Sequence, residues 1–170
     1  MKVLVIAGIL LVNSITQSSL FPFIKVAGVA PDTLMIITIS FALQTGSITG
    51  AIVGFSGGLI QDIMFADVVG VNAVIYMLIG FLAGLIYDRV FIDKIFFPIL
   101  FVFMGTMAKG VLKLVYLFFR RAEMSFGFGL QSITLPEAVY TIIFTPLIFY
   151  LLYLLNEKKF MNKKWYFRRD

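Results

Sequence analysis

Neither cysteine nor histidine occurs anywhere in the chain. The first absence excludes disulfides, thiolate metal sites and a cysteine nucleophile; the second removes the side chain most often used as general base and metal ligand. Charge is scarce too, with Asp, Glu, Lys and Arg together at 14% against about 25% in soluble domains. So poor a chemical inventory argues against an enzyme, and no motif asks for a metal or an organic cofactor.

What the chain does have is apolar surface. Hydrophobic residues make up 61% of its 170 positions, and the mean hydropathy is +1.01. A soluble fold of this size cannot hide that much, so the expected class is an all-α integral membrane protein, a bundle of transmembrane helices with short loops. The chain is organised around Gly46 to Asp62, where Gly46, Gly50, Gly54 and Gly58 recur at every fourth position of an apolar run. Four residues apart on a helix is one face, so the row makes a shallow groove that another helix backbone can approach closely. In water such glycines weaken a helix by roughly 0.5–1 kcal/mol each relative to alanine; in lipid, small residues are the usual contact surface.

Hydropathy divides the chain into six expected spans, at about residues 3–23, 32–44, 47–66, 71–87, 95–119 and 135–155, which form one domain over 1–155. The first competes with a signal peptide, but Asn13–Ser19 holds no small-x-small cleavage site and the apolar run resumes at Leu20, so it reads as a retained span. Asp32 follows Pro31 as the N-cap of the second, a short run that needs its polar ends to reach across. The Gln44–Ser47 link is short enough to make the second and third spans antiparallel neighbours. Gly80 and Gly84 offer a second groove on the fourth span. Phe126–Gly129 reads as an interface-lying loop, and Pro146 should bend the last span.

Orientation follows from the basic residues. With six spans and a cytoplasmic tail, Lys2, Arg89, Lys94, Lys158, Lys159, Lys163, Lys164, Arg168 and Arg169 face inward while Lys25, Arg120 and Arg121 face outward, as the positive-inside rule requires. Residues 156–170 form a basic tail interleaved with Phe160, Met161, Trp165, Tyr166 and Phe167. Each basic residue near an anionic leaflet contributes about 1 kcal/mol, so the tail reads as a membrane-surface anchor, with docking of a cytoplasmic partner as the alternative.

This topology gathers Asp32, Asp62, Asp67 and Glu137 towards the outer side with Lys109 and Lys113, which lie one helical turn apart. Charges at such depth cost several kcal/mol if left bare, so they should face the bundle interior and pair. Asp62 and Lys113 lie roughly 6 Å and 9 Å inside the ends of their spans at about 1.5 Å per residue, which makes them expected partners. Glu137 is the other candidate for Lys113. Beyond a structural clasp, a polar cavity for a lipid head group or a partner's helix and a proton relay both stay open.

The succession of Pro31-Asp32, the glycines at 46, 50 and 54, Gly58-Leu59-Ile60-Gln61-Asp62, Gly70-Val71-Asn72-Ala73 and Gly80-Phe81-Leu82-Ala83-Gly84 resembles the rod shape-determining protein MreD family. These motifs cover residues 31 to 87; the uncharged turn at Gln44–Ser47 and the long basic tail depart from the family's pattern. The resemblance implies a non-enzymatic inner-membrane component of the bacterial elongation machinery. Its implied partners are the single-span protein MreC and, indirectly, MreB filaments and the peptidoglycan synthase pair; association with a second copy stays open, and nucleic acid is not expected. It also implies a bundle similar to the substrate-binding subunits of energy-coupling-factor transporters, which supplies a rival reading as a vitamin-binding subunit. The first span's only small apolar residues, Ala7 and Gly8, favour the scaffold.

Overall fold

The computed structural model describes residues 2–19, 23, 25, 28–66, 68–87, 96–119 and 126–157. They form an all-α membrane protein with helices α1 (Lys2–Ser19), α2 (Thr33–Thr45), α3 (Ser47–Phe65), α4 (Val71–Gly84), α5 (Phe96–Phe119), α6 (Phe126–Gly129) and α7 (Leu135–Glu157). A π-helical turn, Leu130–Thr134, joins α6 to α7. Three stretches, Ser47–Phe65, Phe96–Phe119 and Leu130–Asn156, are long and apolar enough to cross a membrane, whereas Val3–Ser19, Thr33–Thr45 and Val71–Gly84 are shorter apolar helices.

The ends of α2 follow from local chemistry. The Asp32 Oδ1 accepts from the Met35 N–H at 2.9 Å, which caps the first turn. At the other end Gly46 takes φ +99°, its N–H donates to the Ala42 carbonyl at 3.0 Å, and the chain reverses directly into α3. Gly46 is thus the hinge between two antiparallel helices, and it does not extend the glycine row as its spacing suggested. Gly70 plays the matching part before α4, in the left-handed region at φ +110°.

Closest approach occurs where the glycine spacing predicts it, between α3 and α4. A Cβ on Gly50 would stand 2.6 Å from the Gly80 carbonyl oxygen, and one on Gly58 2.7 Å from the Ala73 Cα. Between these, Gly54 packs on the Tyr76 carbonyl, and beyond them Gly84 meets the backbone of Ser47. Stepping back four residues along α3 while stepping forward three or four along α4 is an antiparallel seam of small residues, with backbone against backbone.

The helix enclosed on all sides is α2, where every residue from Thr33 to Leu43 is buried. Thr38 lies across the seam, its methyl against both Gly54 and Gly80. A helix apolar around its whole circumference belongs in the middle of a bundle, and α2 supplies half of the core cluster, Leu34, Met35, Ile36, Ile39 and Phe41 among them. Gly105 of α5 admits the ends of Ile39 and Met35, so α5 closes on α2 from the other side. α1 is peripheral: Leu10 is buried, while Val3, Leu4, Leu11, Val12 and Ile15 face outward.

Two further expectations change. Phe126–Gly129 is helical and leads through the π-helical turn into α7, so the last span begins before the loop expected there has ended. The helical part of the fourth span stops at Gly84, short of Tyr87. Pro146 lies inside α7.

Candidate functional site

Three helices converge on one ammonium group. Lys109 of α5 places its Nζ 2.5 Å from the Asp32 Oδ2 at the head of α2 and 2.5 Å from the Glu137 Oε1 in the first turn of α7. The Tyr76 hydroxyl of α4 donates to the same Asp32 Oδ2 at 2.6 Å, and the Lys109 Nζ lies 5.8 Å from the centre of the Tyr76 ring, within cation–π range. Thr141 fastens the two acids from behind: its Oγ1 accepts from the Asp32 backbone N–H at 2.9 Å and donates to the Glu137 carbonyl at 2.6 Å.

Glycines on α5 let these groups meet. A Cβ on Gly110, the residue after Lys109, would collide with the Thr134 side chain in the π-helical turn, so the start of α7 reaches α5 at the level of the lysine. Gly105 does the same for α2 one turn earlier. With Asp32 and Lys109 buried and Glu137 partly so, both carboxylates and the ammonium exchange hydration for mutual contact. Desolvation of this kind is tolerated only when hydrogen bonds accompany the pairing, and here Asp32 accepts from Met35, Tyr76 and Lys109.

Of the residues expected to cluster, Asp32, Lys109 and Glu137 come together, Lys113 stands at the margin within electrostatic reach of Glu137, and Asp62 lies apart. The expected Asp62–Lys113 pair is therefore replaced. The Asp62 Oδ2 accepts from the N–H groups of Gly70 at 2.8 Å and Ala73 at 3.1 Å, so this fully buried carboxylate caps α4 from the end of α3. A carboxylate suits the positive end of a helix dipole. Lys113 is exposed and takes part in none of the ion pairs among the described residues. Asp67 and the tail residues Lys158, Lys159, Lys163, Lys164, Arg168 and Arg169 lie outside the described residues.

Beside the cluster is an open cavity of about 450 Å³, lined among others by Gln17, Lys25, Asp32, Gln61, Phe65 and Glu137. A chain of side-chain hydrogen bonds forms part of its wall. Gln61 Nε2 donates to Gln17 Oε1 at 3.3 Å, Gln17 Nε2 donates to Thr33 Oγ1 at 3.2 Å, and Thr33 donates to Asn13 Oδ1 at 2.5 Å. This chain ties α1 to α2 and α3 at the same end of the bundle. Sequence reasoning missed Tyr76, Thr141, Gln17 and the two α5 glycines; Gly105 and Gly110 flanking a lysine inside a span were the available signal.

The description of the rod shape-determining protein MreD family matches residues 1–158. No curated protein and no solved structure matches the chain.

Proposed function

Because the chain belongs to the MreD family and so to the rod shape-determining system, we propose that it is a non-enzymatic scaffold of the cell-elongation complex in the bacterial inner membrane. In this reading it binds MreC, and through it acts on MreB filaments and peptidoglycan synthesis. The family match over nearly the whole chain carries the proposal. The site supports it: the buried charges hold one another across α2, α5 and α7, and the α3–α4 seam brings backbone against backbone. Both give a stiff body with fixed outer faces.

The proposed topology has six spans with both termini cytoplasmic and the basic tail on the inner surface. The ends that carry Asp32, Asp62 and Glu137 then face outward, where a single-span partner with an extracytoplasmic domain is met. Purification from mild detergent, with mass spectrometry of everything that co-elutes, tests the assignment. A single-span protein with an extracytoplasmic domain is the expected companion. A vitamin retained in stoichiometric amount, without such a protein, would replace the scaffold by the transporter-subunit reading, which the cavity beside Glu137 favours.

A further inference from the structure

The cavity beside the ion cluster is lined with both signs of charge. Its lining residues include Asp32, Glu137 and Lys25. Lys109, behind the acids, balances one of the two carboxylates. Glu137 is the more open acid, its side chain 18% exposed against 2% for Asp32. Lys113, one turn further along α5, is exposed and is not part of the wall. Within the wall, therefore, one acid and one base remain for an occupant.

The rest of the lining fits a small amphipathic group. Gln17 and Gln61 present amides that both donate and accept, while Phe65 and Ile133 present apolar surface. About 450 Å³ lies in the size range of small-ligand sites, roughly 300–1,000 Å³. An anion alone would meet the Glu137 side of the wall, and a cation alone would leave Lys25 facing it. A ligand carrying both charges satisfies both walls. At Glu137 an ammonium with N–H groups can make a charge-assisted hydrogen bond, which a quaternary ammonium cannot.

We propose that this cavity binds a zwitterion with a primary ammonium and a phosphate or carboxylate, the ammonium against Glu137 and the anion against Lys25. Two sources carry this chemistry: the head group of an ethanolamine phospholipid, entering from the surrounding membrane, and a free amino-phosphate or amino acid. The inference stands independently of which protein the scaffold binds.

The test uses the full chain in detergent micelles doped with equal amounts of ethanolamine, choline and glycerol phospholipids of identical acyl composition, read by native mass spectrometry. A second arm measures thermal stabilisation by phosphoethanolamine and by phosphocholine. The expected result is retention of the ethanolamine lipid about tenfold over the choline lipid, the scale of one charge-assisted hydrogen bond. Glu137→Gln should abolish the preference, and Lys25→Gln should lower retention of both lipids. Since Glu137→Gln also touches Lys109, Ile133→Trp serves as a second variant: it fills the cavity, leaves every ion pair in place and should remove the preference too. Saturable stabilisation by phosphoethanolamine but not phosphocholine, without lipid preference, would assign the site to the free zwitterion. Equal retention of both lipids with no selective response to phosphoethanolamine would overturn the proposal, as would an unchanged preference in Ile133→Trp.

Discussion

Lys109→Met is the most informative single change in this chain, because one ammonium serves two carboxylates from two other helices. Met keeps the length and apolar stem of lysine while deleting the charge. It would leave Asp32 and Glu137, which share the ammonium at 2.5 Å each, facing one another without a counter-charge. Breaking a buried pair by removing one partner costs about 3–5 kcal/mol. For a chain of this length each kcal/mol shifts Tm by roughly 2–4 °C, so the expected fall is on the order of 10 °C. Asp32→Asn should cost less, because an asparagine oxygen still caps the Met35 N–H and Lys109 keeps Glu137. Glu137→Gln should cost least, since Asp32 remains on the lysine. Neutralising all three together removes the unpaired charges and should recover much of the Lys109→Met loss. The assay is thermal unfolding of the detergent-solubilised chain, with the exposed Lys113→Met as control. A Lys109→Met protein as stable as Lys113→Met, or a triple variant whose loss equals the sum of the singles, would refute this account of the cluster.

Three other outcomes follow from the same geometry. Gly54→Leu must push the Tyr76 backbone away and should cost at least about 1–3 kcal/mol of thermal stability. Gly127→Leu, with open space around it, should be neutral within about 0.5 kcal/mol; equal effects would dissolve the seam as an explanation. Asp62→Ala should destabilise by about 1–3 kcal/mol for each amide of Gly70 and Ala73 left without an acceptor, and should add to Lys113→Met within about 0.5 kcal/mol in a double-mutant cycle. Coupling beyond that would restore the pair the structure replaces. For topology, a cysteine at position 163 should be shielded from an impermeant thiol reagent in intact cells and one at Gly127 should react; the reverse pattern would invert the proposed orientation.

Much of the fold was legible because lipid leaves few ways to satisfy a backbone. The row at Gly50, Gly54 and Gly58 with Gly80 and Gly84 found the α3–α4 seam, since small residues at four-residue spacing have no other common use inside an apolar helix. The Asp32 cap was legible from Pro31 and the run after it. Close backbone approach is not the same as burial. A seam buries one stripe of α3 and leaves Ile48, Ile52, Phe55 and Ile63 outward. By contrast, α2 has no bulky outward stripe; Thr38 and Ser40 are tucked inside it, with Ser40 bonded to the Ile36 carbonyl at 2.6 Å. A short helix that is apolar all round is the signal for the centre, whereas hydropathy alone makes it a span that needs its polar ends to reach across.

The misassigned pair fails for a reason that applies to any bundle. Sequence position along a span fixes depth at about 1.5 Å per residue, and depth brought Asp62 and Lys113 to one level. Depth says nothing about azimuth. Lys109 and Lys113 lie on one face in the coarse sense, yet four residues turn a helix through about 400°, some 40° past a full turn. That residual rotation turns Lys113, which is exposed, away from the direction in which Lys109 meets the acids at the heads of α2 and α7. The acids are sorted by a second rule. Asp62 lies at the end of α3, beside the tight turn through Gly70, so unsatisfied amides at the start of α4 reach its carboxylate before any lysine does. Asp32 caps its own helix with Oδ1 alone, and Oδ2 remains for Tyr76 and Lys109. A carboxylate followed within a few residues by a turn glycine and a new helix is therefore a cap first. The acids left over, at the heads of α2 and α7, are the ones to match with a lysine buried between them.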